Sequence, residues 1–150
     1  MASSLDLSYS INGPISDVYF SLLHFKEFGL LHPYMKSVDI IGHKENGIEY
    51  QVHEQLMLWG IIPMKPSYRA TILEIEKNKH IRYQSEVKKG LLLTVDFTLE
   101  TDQENNCTKI SEHILLEGLP WIHAIFLSLL KKSHVMVFKN LQAKLNAPSL

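Results

Sequence analysis

Two carboxylates lie where strand alternation asks for apolar side chains, and they are the strongest chemical signal in the sequence. Glu112 falls in phase with Ile110, Ile114 and Leu116, and Glu54 in phase with Tyr50, Val52, Leu56 and Leu58, which puts each on the inward face of a half-buried strand. Leaving a carboxylate alone in an apolar interior costs on the order of several kcal/mol, so each must be paired, protonated, or touching water or a ligand. Tyr83, in phase with Ile81, Ser85 and Val87, joins the inward set, and Arg69 on the preceding strand is an available counter-charge. Such a set can orient the polar end of a bound molecule. It can equally hydrogen-bond only to itself and fix the sheet geometry. A one-residue slip of register would turn both carboxylates to solvent and bring His113 inward.

Other chemistries find less support. Eight histidines are present, but His24 and His32, His43 and His53, and His113 and His123 match no HExxH or Cys-His spacing, so no metal site is expected. No serine-centred elbow or phosphate-cradling glycine loop is visible. Cys107 is alone in a turn with Asn105, Asn106 and Thr108, which rules out an internal disulfide and fits a reducing compartment. His134 lies on the core stripe of a helix, where it is read either as a structural histidine or as a ligand or catalytic group.

The elements that must position these residues follow from periodicity. Leu5, Leu7, Tyr9 and Ile11 alternate with polar residues and form a first strand ending at Asn12-Gly13. Pro14 suits the first turn of a short helix from Ile15 to Leu23. A second short helix spans Lys26 to Leu31 and stops at the extended bias that Pro33 imposes on His32. From Ser37 to Gly118, turn signals at Glu45-Asn46-Gly47, Gly60 to Pro66, Lys77-Asn78, Lys88-Lys89-Gly90 and Asp102 to Asn106 separate six strands of a meander. Closing the last hairpin at Asp102 to Asn106 sets Leu91, Leu93, Val95, Phe97 and Leu99 beside Leu116, Ile114, Glu112, Ile110 and Thr108.

The last element is a long helix from Trp121 to Leu145. Leu127, Leu130, His134, Val137, Phe138, Leu141 and Leu145 recur at steps of three and four and form one face. That face needs a large partner, and the only one on offer is the sheet. A chain of 150 residues with 45% hydrophobic content suits a single domain over residues 1–150. Net charge is -1, with no basic run interleaved with aromatics, so no nucleic-acid partner is expected. The start shows no secretory signal and no stretch is long enough to span a bilayer, so the cytoplasm is the expected compartment. Asn146 to Leu150 reads as a loose end.

Strand, two short helices, six antiparallel strands and a long terminal helix, with Asn12-Gly13-Pro14-Ile15-Ser16-Asp17-Val18-Tyr19, His32-Pro33-Tyr34-Met35-Lys36-Ser37-Val38 and Gly47 at the junctions, resembles the START-like (SRPBCC) superfamily of helix-grip domains. The resemblance implies an α+β fold in which a seven-stranded curved antiparallel sheet (β-α-α-β6-α) wraps a long C-terminal helix around an internal cavity. It implies binding or carriage of a hydrophobic, lipid-like small molecule without a cofactor. Tyr50, Glu54, Leu56, Arg69, Tyr83, Leu93, Val95, Phe97, Glu112, Ile114, Leu130 and His134 would line that pocket. Its polyketide-cyclase branch implies an alternative, in which Glu112 or Glu54 moves a proton on a poly-carbonyl substrate while Tyr83 or Arg69 stabilises an enolate. Its co-chaperone branch implies a protein-interaction module.

Meander topology gathers alternate loops at one end: Trp59 to Pro66, Lys88-Lys89-Gly90, Gly118 to Trp121 and Pro33-Tyr34-Met35. Trp59, Ile61, Ile62, Met64 and Trp121 lie there, and the helix adds Ile122, Ile125, Leu129 and Met136 on the side away from its core stripe. Such a patch suits a peripheral membrane contact, with Lys88, Lys89, Lys131 and Lys132 for anionic groups, or a homodimer contact. Alternatively, the loop and the small helices fold over it.

Overall fold

The computed structural model describes residues 2–58 and 60–146; Trp59 lies outside the described residues, as does the end from 147 onward. Strand β1 (Ala2–Ile11) leads into helix α1 (Ile15–Leu23) and the single turn α2 (Phe25–Phe28). Seven further long or short strands precede β9, and all of them are antiparallel: β2 (Met35–Lys44), β3 (Gly47–Glu54), β4 (Leu56–Leu58), β5 (Ile62–Met64), β6 (Ser67–Glu76), β7 (His80–Lys88) and β8 (Leu91–Asp102). Strand β9 (Cys107–Glu117) then leads through a 3-10 turn at Pro120–Ile122 into α3 (His123–Asn146). The main sheet runs β1-β9-β8-β7-β6-β3-β2. This is the expected seven-stranded helix-grip.

Alternation explains how the sheet closes on the helix. Leu5, Leu7, Tyr9 and Ile11 of β1 face the same side as Leu116, Ile114, Glu112 and Ile110 of β9, and α3 lays Leu130, Val137, Phe138 and Leu141 against that concave surface. Phe138 is the hub. Its ring stacks on Tyr9 at 4.0 Å and meets Phe97 at 5.7 Å and Phe28 at 5.9 Å. The start of α3 is fixed by His123, which bonds Ser3 Oγ at 2.7 Å through Nδ1 and the Gly118 carbonyl at 2.6 Å through Nε2. Gly118 itself has φ +83, and a Cβ there would stand 1.9 Å from the Gly90 carbonyl oxygen, so only glycine allows the β7–β8 turn and the β9–α3 turn to touch.

Four expectations need correction. The second helix is a four-residue turn, α2, followed by a 3-10 turn at Gly29–Leu31; His32 is extended at ψ 132, as the following proline requires. The third strand ends at Glu54 rather than running to Leu58. Its amide finds the Pro66 carbonyl and the next amide finds the Tyr34 carbonyl, and Pro66 has no N–H with which to continue the ladder. Leu56–Leu58 pairs instead with Ile62–Met64 in a separate hairpin. The β8–β9 hairpin is offset by two residues, with Leu93 opposite Leu116, Val95 opposite Ile114 and Phe97 opposite Glu112. An even shift keeps every side chain on its expected face. Lastly, Leu129 and Ile122 do not point away from the core. The first half of α3 spans an open space, and both side chains line it.

Candidate ligand-binding cavity

Between the sheet and α3 lies a cavity of about 410 Å³. The sheet contributes Leu93, Val95 and Phe97 from β8 and Tyr83, Ser85 and Val87 from β7, because these are the inward phase of their strands. From α3 come Phe126, Leu130, His134, Val137 and Phe138, and from the two short helical turns come Phe25 and Phe28. Leu56 and Met64 of the β4–β5 hairpin, with Tyr34, Met35 and Lys88, stand around the mouth. Ile61, Ile62, Trp121 and Ile125 flank it as exposed side chains, Ile61 at 74% and Trp121 at 72%. Among the described residues nothing buries them, whereas Leu129 belongs to the wall. Lys88 sits over the Trp121 ring at 5.6 Å.

Both carboxylates face inward, and each has a partner other than arginine. Glu54 accepts a hydrogen bond from the Tyr68 hydroxyl, and burial pushes its carboxyl above the usual range, offset in part by Tyr68 and by nearby His134. Glu112 is fully buried and accepts from both Tyr9, at 3.0 Å, and His134 Nδ1. His113 points outward to Asp6 at 2.7 Å. Arg69 contradicts expectation. It lies on the outer face, 74% exposed at its side chain and 3.9 Å from Glu49, because Tyr68, Ala70 and Ile72 hold the inward phase of β6.

Glu112, Ile114 and Tyr50 also depart from the expected lining, since they are core residues behind the wall. Tyr50 is covered by Phe25, with ring centres 5.3 Å apart, and Glu112 on the inward face of β9 is met by His134 of α3. What the cavity meets is His134, held by Glu112. Tyr83 lines the cavity with its ring, but its hydroxyl donates to the Leu22 carbonyl at 2.6 Å, satisfying an orphan acceptor at the end of α1. Burial first, then Glu112 and Tyr50, push its phenol well above the ordinary value.

Three residues not singled out from sequence complete the polar side: Tyr68, Tyr9 and His32. Tyr68 and Tyr9 were readable as inward-phase residues, but their pairing with Glu54 and Glu112 depends on strand order. His32 lines the cavity and stands edge-on to His134 with ring centres 6.0 Å apart. Its Nδ1 accepts the Tyr34 amide N–H at 3.1 Å, so the neutral ring carries its proton on Nε2. Burial, reinforced by His134, pushes His32 down to about 3. The unfolded chain takes up this proton below about pH 6.5 and the folded one does not, so His32 withdraws stability as pH falls from about 6.5 toward 3, at about 1.4 kcal/mol per unit. His32→Asn, which keeps an acceptor for the Tyr34 amide, should remove about 2 kcal/mol of the loss between pH 6.5 and pH 5 in urea unfolding. An acid limb identical to that of the parent would refute a neutral buried His32.

Among the described residues no cluster of three or more His, Cys, Asp or Glu side chains could hold a metal ion, and no helix is long and apolar enough to cross a membrane.

No family model and no curated protein matches the sequence. Solved structures do match along nearly its whole length. The crystal structure of Ara h 8.0201 superposes with TM-score 0.73 at 14% identity over 96% of this chain and 97% of that one. The Zhui aromatase/cyclase from Streptomyces sp. R1128 does so with TM-score 0.78 at 7% identity, covering 96% and 93%. The di-domain ARO/CYC BexL from the BE-7585A biosynthetic pathway gives TM-score 0.78 at 13% identity, with 99% of this chain on 51% of that one. A START superfamily protein from Mycobacterium smegmatis gives 0.71 at 11%, covering 94% and 95%. The fold is that of the START-like helix-grip proteins.

Proposed function

We propose that this chain binds or carries a largely apolar small molecule between its sheet and α3. The observation that supports this reading most is the composition of the cavity wall. Aromatic and aliphatic side chains make up most of it, and Glu54, Tyr68, His32 and His134 supply a confined polar sector. A volume of about 410 Å³ suits a compact lipid-like or polycyclic molecule. Affinity would come from buried apolar area at about 25 cal/mol per Å², with the polar sector fixing orientation. The exposed rim of Ile61, Ile62, Trp121 and Ile125 beside Lys88 and Lys89 suits uptake from an anionic bilayer, or contact with a second copy. A single cysteine, buried and without a disulfide partner, is in keeping with a carrier that works in a reducing compartment such as the cytoplasm.

The alternative, a cyclase-like enzyme, draws on one observation: Tyr9, Glu112 and His134 form a chain that ends at the cavity. In that reading His134 moves the proton and Glu112 positions it, a different division of roles from the direct carboxylate catalysis expected from sequence. The third reading, an interaction module, would use the rim alone.

Native mass spectrometry of gently purified protein, followed by denaturing extraction, tests the carrier reading. A copurified apolar molecule near one per chain supports it, and the same spectrum shows whether copies pair. Protein that stays free of ligand, and that takes up no added apolar compound, would count against it in favour of the rim.

A further inference from the structure

The polar sector of the cavity has a distinctive balance of donors and acceptors. Glu112 accepts from Tyr9 and from His134, so His134 Nδ1 carries a proton and, in the neutral ring, its Nε2 offers a lone pair. His32 is the complement: its Nδ1 is taken by the Tyr34 amide, which leaves Nε2–H as a donor. Among the described residues neither Nε2 has a protein partner, yet no buried side-chain nitrogen or oxygen is left unpaired. Both nitrogens must therefore be reachable from the cavity that their rings line. The ring centres stand 6.0 Å apart, and a hydroxyl oxygen bridging the two Nε2 atoms would make a hydrogen bond of about 2.8 Å to each.

Counter-charge is missing from this sector. Arg69 is on the outer face and Lys88 is at the mouth against Trp121. The nearest acidic group in the wall, Glu54, would repel an anion or compete with it for donors. A carboxylate or phosphate brought here would lose its hydration without gaining a cation.

Resting on the ligand-binding reading above, we infer that the His32–His134 pair is a site for one uncharged hydroxyl group, accepting from His32 Nε2–H and donating to His134 Nε2. The ligand is then a neutral alcohol or phenol on an apolar skeleton, not a fatty-acid-like anion.

Three probes of one skeleton separate the possibilities: naphthalene, 2-naphthol and 2-naphthoate, titrated calorimetrically into the full chain at pH 7. 2-Naphthol should bind about tenfold more tightly than naphthalene, the worth of one net hydrogen bond, and 2-naphthoate more weakly than either. His32→Asn keeps the acceptor for Tyr34 but removes the Nε2 donor, and it should cut the naphthol advantage over naphthalene, both measured in the same variant, to about threefold or less. Naphthoate binding as tightly as naphthol, or an undiminished naphthol advantage in His32→Asn, would overturn the hydroxyl site while leaving the carrier reading in place. Failure of all three to bind would remove both.

Discussion

His134→Leu should lower folding stability by about 2–3 kcal/mol, because it takes from the buried Glu112 carboxyl one of the two donors that satisfy it. Glu112 is fully buried at its side chain, and among the described residues its partners are Tyr9 and His134. The opposite change is milder. Glu112→Leu leaves His134 with 14% of its side chain still exposed, and a Tyr9 hydroxyl without its acceptor, at about 1–2 kcal/mol. The double variant, His134→Leu with Glu112→Leu, removes the carboxyl together with its partner and should be no less stable than Glu112→Leu alone. Urea unfolding of the four proteins reads this as a non-additive cycle. Equal destabilisation of His134→Leu and of the double variant would show that the loss is one of packing, and that no stranded carboxylate is involved.

That cycle turns on a pairing only half legible in the sequence. Period-two alternation places Glu112 inward, and a two-residue error in hairpin offset leaves the conclusion intact because the error is even. Its partners were harder to find. Tyr9 reaches Glu112 only because β1, from the far end of the chain, pairs with β9, and His134 only because α3 crosses that strand pair. The helical stripe was strong enough to place His134 on the inner face, but not to say what it would meet.

Arg69 shows the opposite failure. Charge complementarity suggested it for Glu54, while the phase of Tyr68, Ala70 and Ile72 on its own strand already pointed it outward. Phase reports where a side chain goes, whereas charge reports only what it would suit. The break after Glu54 was hidden for a different reason: Leu56 and Leu58 continue the alternation perfectly, and what ends the strand is the neighbouring Pro66, whose consequence needs the strand order. His32 left no trace of its role at all. Its neutral burial arises where the chain before β2 meets α3 at the edge of the cavity.

Leu93→Asp should weaken binding of an apolar ligand about a thousandfold or more while leaving the fold in place. The choice of position decides what is learned. Phe97 also lines the cavity, but it is 1% exposed and packed on Phe138 and Tyr83, so a charge there would test folding before binding. Leu93 is half-buried and reaches the space rather than the packed core. With no ligand bound, an aspartate at this position stays hydrated by cavity water. With an apolar molecule against it, the charge loses that water at a cost of about 4 kcal/mol or more, which converts to the thousandfold loss. Arg69→Ala is the control, since its side chain is outside the sheet and its removal should not move affinity. Titration of a naphthol probe, with circular dichroism and thermal unfolding alongside, separates lost binding from a lost fold. If Leu93→Asp binds as well as the parent, the ligand does not lie against β8, and the exposed rim at Ile61 and Trp121 becomes the surface on which it is held.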